Sequence, residues 1–135
     1  ILNLAHLIRN ETKSKFGTGK MSGGLEMTFS ILGCCPRLGQ SGVAMATSSI
    51  AIGSRCPFVR KGVGATSTQN LTDPRLGPAL LDQMEAGQKP KVAISNLLAE
   101  RFDMGYRQLL AINTHGETAY FTGDKALGCS AAAEG

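Results

Sequence analysis

Thr28 is the residue whose type and position carry the clearest chemical possibility. It follows Met27 and begins a run, residues 28–33, in which apolar and small residues alternate as in a β-strand. In a chain that began at Thr28, the terminal α-amine, with an ordinary pKa of about 7.7–8.0, would serve as base for the hydroxyl of the same residue. This is the threonine form of N-terminal nucleophile activation. The alternative is a Met-Thr pair inside an ordinary strand, and both readings stay open.

Other residue types that perform hydrolysis are sparse. The two histidines are His6, near the start, and His115, in a predicted turn. No Gly-x-Ser-x-Gly elbow precedes a helix, so a Ser-His-Asp triad lacks support and we expect His115 to be a solvated turn residue. The carboxylates form no recognisable pair for glycoside hydrolysis. We expect Asp73 to cap a helix and Glu117 to lie on an exposed strand face.

The four cysteines, Cys34, Cys35, Cys56 and Cys129, match neither a secreted disulfide framework nor the spacing of zinc ligands. Cys34 and Cys35 would point to opposite faces of a strand, so they would not pair or share a metal there. We expect thiols that pack like small hydrophobic groups, and neither a metal nor a cofactor. A thiol-based redox or metal protein that uses Cys34, Cys35 and Cys56 is a weaker alternative.

Composition excludes several classes of partner. The 14 Lys and Arg residues give a net charge of +4 but are scattered, and 5% of the 135 residues are aromatic, with no Trp. We therefore expect no nucleic-acid partner. The Gly19-Lys20 pair is no phosphate loop, because Met21 follows the lysine. No apolar run approaches the roughly 18 residues of a membrane helix, and residues 1–8 make no signal peptide, so we expect no membrane partner and a cytoplasmic location.

Periodicity predicts the elements that position these residues. The order of strands, two helices and strands indicates a layered α+β domain rather than a doubly wound one. The tail after Gly128 shows no closing helix or strand pattern. The predicted elements are a hairpin at 28–47, a break at Pro57, a strand at 62–69, helices at 74–87 and 90–102, and a second hairpin at 107–122.

Several short motifs, taken in order, resemble one bacterial family. Each motif alone is weak, but their order and spacing resemble the domain of unknown function 1028 (DUF1028) family, which is assigned to the N-terminal-nucleophile (Ntn) hydrolase superfamily. The resemblance runs from Met27 to about Gly128 and covers the N-terminal half of the family's length. The motifs are Met27-Thr28-Phe29-Ser30-Ile31, Gly42-Val43-Ala44, Gly62-Val63-Gly64-Ala65-Thr66-Ser67-Thr68-Gln69, Asp73-Pro74-Arg75-Leu76-Gly77-Pro78, Arg107-Gln108 and Phe121-Thr122-Gly123.

The resemblance implies a four-layer αββα sandwich, incomplete in this chain, with Thr28 at the end of a central strand. It divides the chain into residues 1–27, a leader, propeptide or artefactual extension, and residues 28–135, the N-terminal part of an Ntn-hydrolase-like domain. It also implies hydrolysis of a small amide or peptide-like substrate, in which the Thr28 hydroxyl forms an acyl-enzyme that water clears. The family has no established substrate, so this activity is carried over from the superfamily.

Two features depart from the family pattern. Residues 1–27 would block the amine of Thr28 unless they are removed or never made. Many relatives carry Lys or Arg just after the second strand, where a cation would lower the pKa of the amine or stabilise an oxyanion, and this chain has Thr47-Ser48-Ser49. Arg55 or Lys61 could substitute for that cation. The candidate oxyanion or substrate-binding residues are Ser48, Ser49 and Asn70.

The alternative function is a non-catalytic binding or assembly module on the same fold, with Met27 and Thr28 buried in an intact chain. The state of the Thr28 amine discriminates between the two functions. An incomplete sandwich would leave a sheet face and strand edges uncovered. We therefore expect residues 1–135 alone to be poorly stable as a monomer, to form a homo-oligomer, or to be a piece of a longer protein.

Overall fold

The computed structural model describes residues 3–12, 26–127 and 129–134, and the side chains of residues 28–127 and 130–134. Short 3₁₀ turns at Ile52–Ser54 and Met104–Tyr106 precede two of the strands. The elements in chain order are β1 (Asn3–Thr12), β2 (Glu26–Cys35), β3 (Gln40–Thr47), β4 (Pro57–Arg60), β5 (Gly64–Asn70), α1 (Leu76–Glu85), α2 (Pro90–Glu100), β6 (Arg107–Asn113), β7 (Thr118–Thr122) and β8 (Cys129–Ala131).

The strands of the described residues form two antiparallel sheets. The first sheet has the order β3-β2-β1-β8 and the second has the order β4-β5-β6-β7. The β2–β3 turn at residues 36–39 closes with a hydrogen bond from the Leu38 N–H to the Cys35 carbonyl, 3.1 Å, and places Gly39 at a φ of +60°. The β6–β7 turn is organised by Asn113, whose Oδ1 accepts the N–H groups of His115 and Glu117. Both predicted hairpins are confirmed.

Both described helices lie on the second sheet, with α1 against β5 and α2 against β7. Their apolar residues recur three to four positions apart, which places them on one face of each helix. Pro90 stands in the first turn of α2, where its missing N–H costs no helical hydrogen bond. The helices predicted at 74–87 and 90–102 are confirmed. Their buried residues include Leu76, Leu80, Leu81 and Met84 of α1, and Ala93, Ile94 and Leu97 of α2.

A second core joins the two sheets face to face. It consists of Leu32, Cys34, Ala65, Leu110 and Ile112, each at most 1% exposed. Because side chains alternate along a strand, β6 presents one set of residues to this core and the other set to the helices. The described layers are thus a sheet, a sheet and a pair of helices, which confirms an α+β fold. None of the helices in these described ranges is long and apolar enough to cross a membrane.

Three strands differ from the sequence analysis. Residues 3–12, within the predicted leader, form β1, which pairs with β2 so that Asn10 lies opposite Thr28. The tail forms β8, which pairs with β1. Pro57 begins β4 at the edge of the second sheet, where a proline without an N–H is tolerated. The strands β1 and β8 depend on pairing with residues outside their local sequence, and β4 depends on its position at the edge of the sheet. Local sequence patterns carry no information on either.

Candidate functional site

Thr28 and Thr47 form a hydroxyl pair at the open end of the β2–β3 hairpin. The two residues lie directly opposite each other in register, and their Oγ1 atoms are 2.8 Å apart. The Oγ1 atom of Thr47 also accepts the backbone N–H of Ser49 at 3.0 Å. The oxygen of half-buried Thr28 is therefore positioned by a hydrogen bond to Thr47 in which either hydroxyl can be the donor.

A cavity of about 220 Å³ opens beside this pair. Its walls come from β2, from the segment between β3 and β4, and from the end of β5 with the residues that follow. The volume lies below the roughly 300–1,000 Å³ of pockets for drug-sized ligands, so the cavity fits a small molecule. The polar side chains in its lining include Thr28, Ser49, Arg55, Cys56, Gln69 and Asn70.

The predicted site residues are placed unequally around this cavity. Thr28, Ser49 and Asn70 are far apart in sequence and all line it. Ser48 is exposed on the bend after β3 and is not among the lining residues. The fold thus brings three of the four residues together, while their roles as nucleophile and oxyanion donors stay predictions.

Asn70 ends β5 and ties it to a distant segment. Its φ is +68°, a left-handed conformation that Asn tolerates better than most residues. Its Oδ1 accepts the N–H groups of Leu71 and Leu127, and its Nδ2 donates to the Leu127 carbonyl, all at 3.1 Å. The carboxamide of Asn70 therefore builds the wall of the cavity and uses one of its two N–H donors for that purpose.

Gln69, which the sequence analysis did not single out, reaches the cavity from β5 and is 2% exposed. Its Nε2 donates to the Ser30 hydroxyl and lies 3.4 Å from the Ser67 Oγ. Its Oε1 has no hydrogen-bond partner in the described part of the chain. A buried acceptor left unpaired costs about 1–3 kcal/mol, so a ligand donor that reached this oxygen would offset that cost. A single glutamine in a strand of small residues carries no sequence signal for this role.

Arg55 and Cys56 bring a cation and a thiol to the cavity. Cys56 is buried with its Sγ 3.7 Å from the Thr72 hydroxyl. Burial raises the pKa of this thiol, against smaller lowering by hydrogen bonds from Thr72 and Arg55, so it is protonated at neutral pH. Lys61, the other candidate cation, lines a different hollow beside the end of α1. Of the two, Arg55 is the cation at the cavity.

An aspartate supports the cavity wall that follows β5. Asp73 is 5% exposed, and its carboxylate lies 2.9 Å from the guanidinium of Arg75 and 2.9 Å from that of Arg101. Its Oδ1 also accepts the backbone N–H of Arg75 at 3.0 Å in the turn that precedes α1. The N-cap of α1 is Arg75 and no side chain caps this helix, so the predicted capping role of Asp73 is wrong: its carboxylate binds the two arginines instead. Hydrogen bonds from Arg75 hold the pKa of Asp73 well below its usual range.

A second aspartate, Asp103, extends this network of ion pairs. Asp103 pairs with Arg101 at 2.8 Å and with Arg107 at 2.7 Å, and hydrogen bonds from Arg101 lower its pKa. Arg107 also donates to the carbonyl of Leu71, a residue that lines the cavity. The network thus holds residues 71–73 against the strand β6, and sequence spacing alone did not predict it.

The remaining candidates lie apart from the cavity. His115 is exposed in the β6–β7 turn as expected. Glu117 differs from its predicted exposed strand position, because it precedes β7 and binds Lys89 at 2.5 Å and Asn113 at 2.7 Å. The side chains of His6 and Cys129, and the Gly19-Lys20 pair, lie outside the described residues. Within residues 28–127 and 130–134, no three His, Cys, Asp or Glu side chains are grouped to hold a metal ion.

Residues 28–135 match the model of a family of unknown function, DUF1028. The crystal structure of a protein from Silicibacter pomeroyi, assigned to the same family, superposes with a TM-score of 0.70 at 30% sequence identity. That match covers 73% of this chain and 46% of the other, so this chain spans less than half the length of that relative. No curated protein matches the chain.

Proposed function

The chain belongs to the DUF1028 family of unknown function, and we propose that it is an Ntn-type amide hydrolase whose nucleophile is Thr28. The observation that carries this proposal is the position of the Thr28 hydroxyl, fixed by Thr47 beside a small cavity. The family match supports it, because it begins at the same residue. The described sheet, sheet and helix layers are compatible with three layers of an αββα sandwich.

The chemistry needs a form of the protein in which residues 1–27 are absent and Thr28 carries a free α-amine. The amine takes the proton of the Thr28 Oγ1 as this oxygen attacks the carbonyl carbon of the substrate amide. The C–N bond of the tetrahedral adduct then breaks, and the Thr28 ammonium gives this proton to the leaving amine. The acyl group stays on Oγ1 as an ester. Water, deprotonated by the same amine, attacks this ester, releases the acid and restores the hydroxyl.

The adduct carries a negative oxygen that needs hydrogen-bond donors. Ser49 and Asn70 line the cavity and are the proposed donors, and Arg55 adds a positive charge to the same space. Removal of one such donor typically slows catalysis by about 10²–10³-fold. Ser48, outside the lining, is a weaker candidate for this role.

A second candidate function is a non-catalytic binding or assembly module. The observation in its favour is the continuous strand β2, in which Met27 precedes Thr28 and pairs with Glu11 of β1. In this intact form the nitrogen of Thr28 belongs to a peptide bond and cannot act as a base. A protein that keeps residues 1–27 in the cell would favour this function.

The first test is the intact mass and N-terminal sequence of the protein expressed from its native gene. The hydrolase proposal requires a chain that begins at Thr28. The second test measures amine release from a panel of small amides by a chain that begins at Thr28. Thr28→Ala should abolish release and Thr28→Ser should retain part of it, while Thr114→Ala, a half-exposed threonine of the β6–β7 turn, should be neutral. A native chain that keeps residues 1–27, together with no hydrolysis by the shorter chain, would favour the binding module.

A further inference from the structure

Two side chains that line the cavity beside Thr28 carry hydrogen-bonding groups without a matching protein partner in the described residues. The first is the Oε1 of Gln69, which is buried and unpartnered in the described residues. The Nε2 of the same carboxamide contacts the Ser30 hydroxyl and lies 3.4 Å from the Ser67 Oγ, so the Oε1 is the end of the group that has no partner. A ligand N–H that reached this oxygen would pair an acceptor that the described residues leave unpaired.

The second group is the guanidinium of Arg55. Among the lining residues it is the side chain that is charged at neutral pH, since burial keeps the thiol of Cys56 protonated. Arg55 is exposed and forms no ion pair in the described part of the chain, and its hydrogen bond to Cys56 uses few of its five N–H donors. A guanidinium fork of this kind matches a carboxylate with two parallel hydrogen bonds.

We propose that this cavity selects small amides that bear a carboxylate, the class of N-acyl amino acids, with Gln69 accepting the ligand N–H and Arg55 binding the carboxylate. The inference rests on the proposed function and names its substrate class. The volume of about 220 Å³ suits a molecule of this size and excludes a long peptide enclosed as a whole. Gln69 acts here as a specificity residue, and Arg55 adds a specificity role to the positive charge that it brings to the oxyanion, while the bonds are made and broken at Thr28.

The test compares N-acetyl-L-alanine with N-acetyl-L-alaninamide, which differ in the charge of one terminal group. Binding of each is measured by calorimetry to the full chain, in which Met27 still acylates the Thr28 nitrogen, so that no turnover interferes. The acid should bind at least about tenfold tighter than the carboxamide, as a charge-assisted hydrogen bond predicts. Arg55→Gln should remove this preference, and Lys61→Gln, an exposed cation at another hollow, should leave it intact.

Gln69→Leu should weaken the binding of the acid and of the carboxamide by the same severalfold factor, because both probes carry the N–H that Gln69 accepts. Arg55 is exposed, so we expect Arg55→Gln to fold and to test the inference even if Gln69→Leu folds poorly. Equal binding of the two probes, no binding of either at millimolar concentration, or an acid preference that survives Arg55→Gln would overturn the inference. Acid-selective binding without hydrolysis by the chain that begins at Thr28 would overturn the proposed function and leave the binding class standing. Hydrolysis of neutral amides without a preference for the acid would support the proposed function and overturn the inferred substrate class.

Discussion

The carboxylate of Asp73 offers the sharpest test of how the cavity wall is held. Its side chain is 6% exposed and accepts hydrogen bonds from the Nε and Nη2 of Arg75, both at 2.9 Å, and lies 2.9 Å from the Nη2 of Arg101. The substitution Asp73→Asn keeps the size of the side chain and an oxygen that can accept the Arg75 backbone N–H. It removes the charge that the two guanidinium groups share.

The expected loss of stability follows from the exposure of each partner. The side chain of Arg75 is 80% exposed, so water screens its pair with Asp73 and the pair contributes little to stability. The side chain of Arg101 is 26% exposed, and its charge-assisted hydrogen bond is worth about 1.5–3 kcal/mol. Arg101 keeps Asp103 as a partner, so the 3–5 kcal/mol typical of an orphaned buried charge does not apply. We expect Asp73→Asn to lower the free energy of unfolding by about 1–3 kcal/mol at neutral pH.

The effect should disappear in acid. Hydrogen bonds from Arg75 lower the folded-state pKa of Asp73 below its unfolded value of about 3.9. A group with a depressed folded pKa stabilises fully above its unfolded pKa and loses that contribution as pH falls toward the folded pKa. The difference between wild type and Asp73→Asn should therefore be constant from about pH 8 to pH 5 and narrow below about pH 4.

Urea unfolding of the full-length protein, followed by far-UV circular dichroism at about pH 7, 5 and 3, measures this difference. Asp124→Asn, an exposed aspartate in the turn after β7, is the matched control and should change stability by less than about 0.5 kcal/mol. A difference below about 0.5 kcal/mol for Asp73→Asn at neutral pH, or one that is as large at pH 3 as at pH 7, would refute the reasoning.

Three further changes test the core, the second sheet and the hydroxyl pair. Leu110→Ala, at a position fully buried between the sheets, should lower the free energy of unfolding by about 2–5 kcal/mol in urea titration, and a loss below about 1 kcal/mol would contradict the sheet packing. Gly64→Ala should cost about 1–3 kcal/mol or prevent folding, because its φ is +156° and a Cβ would overlap a carbonyl of β6, whereas Gly42→Ala, with open space, should cost far less. In a chain that begins at Thr28, Thr47→Val should lower kcat by about 2–10-fold with little change in KM, and Thr47→Ser should restore it. An unchanged kcat would remove the hydroxyl pair from the mechanism.

Local patterns were sufficient for the hairpins and helices. The alternation in residues 28–47, the leucine spacing after Pro74 and the Gly116 turn predict elements that the structure contains, because each depends on neighbours within a few residues. The exposed position of His115 in its turn is local in the same sense. The strands β1 and β8 escaped prediction, because their partners are distant and their patterns are weak.

By itself, the sequence determined the α+β class, the family resemblance and the singling out of Thr28. Only the tertiary structure decided which residues share a cavity with it. Arg55, Gln69 and Leu127 reach that cavity from separate segments, and Cys56 proved to line it although its spacing indicated only a buried thiol. The sequence specifies the chemical type of each side chain, whereas its neighbours in three dimensions decide whether an oxygen lacks a partner or a cation lacks a counter-ion. Strand pairing and sheet packing create those neighbours, and no spacing rule in a single sequence contains them.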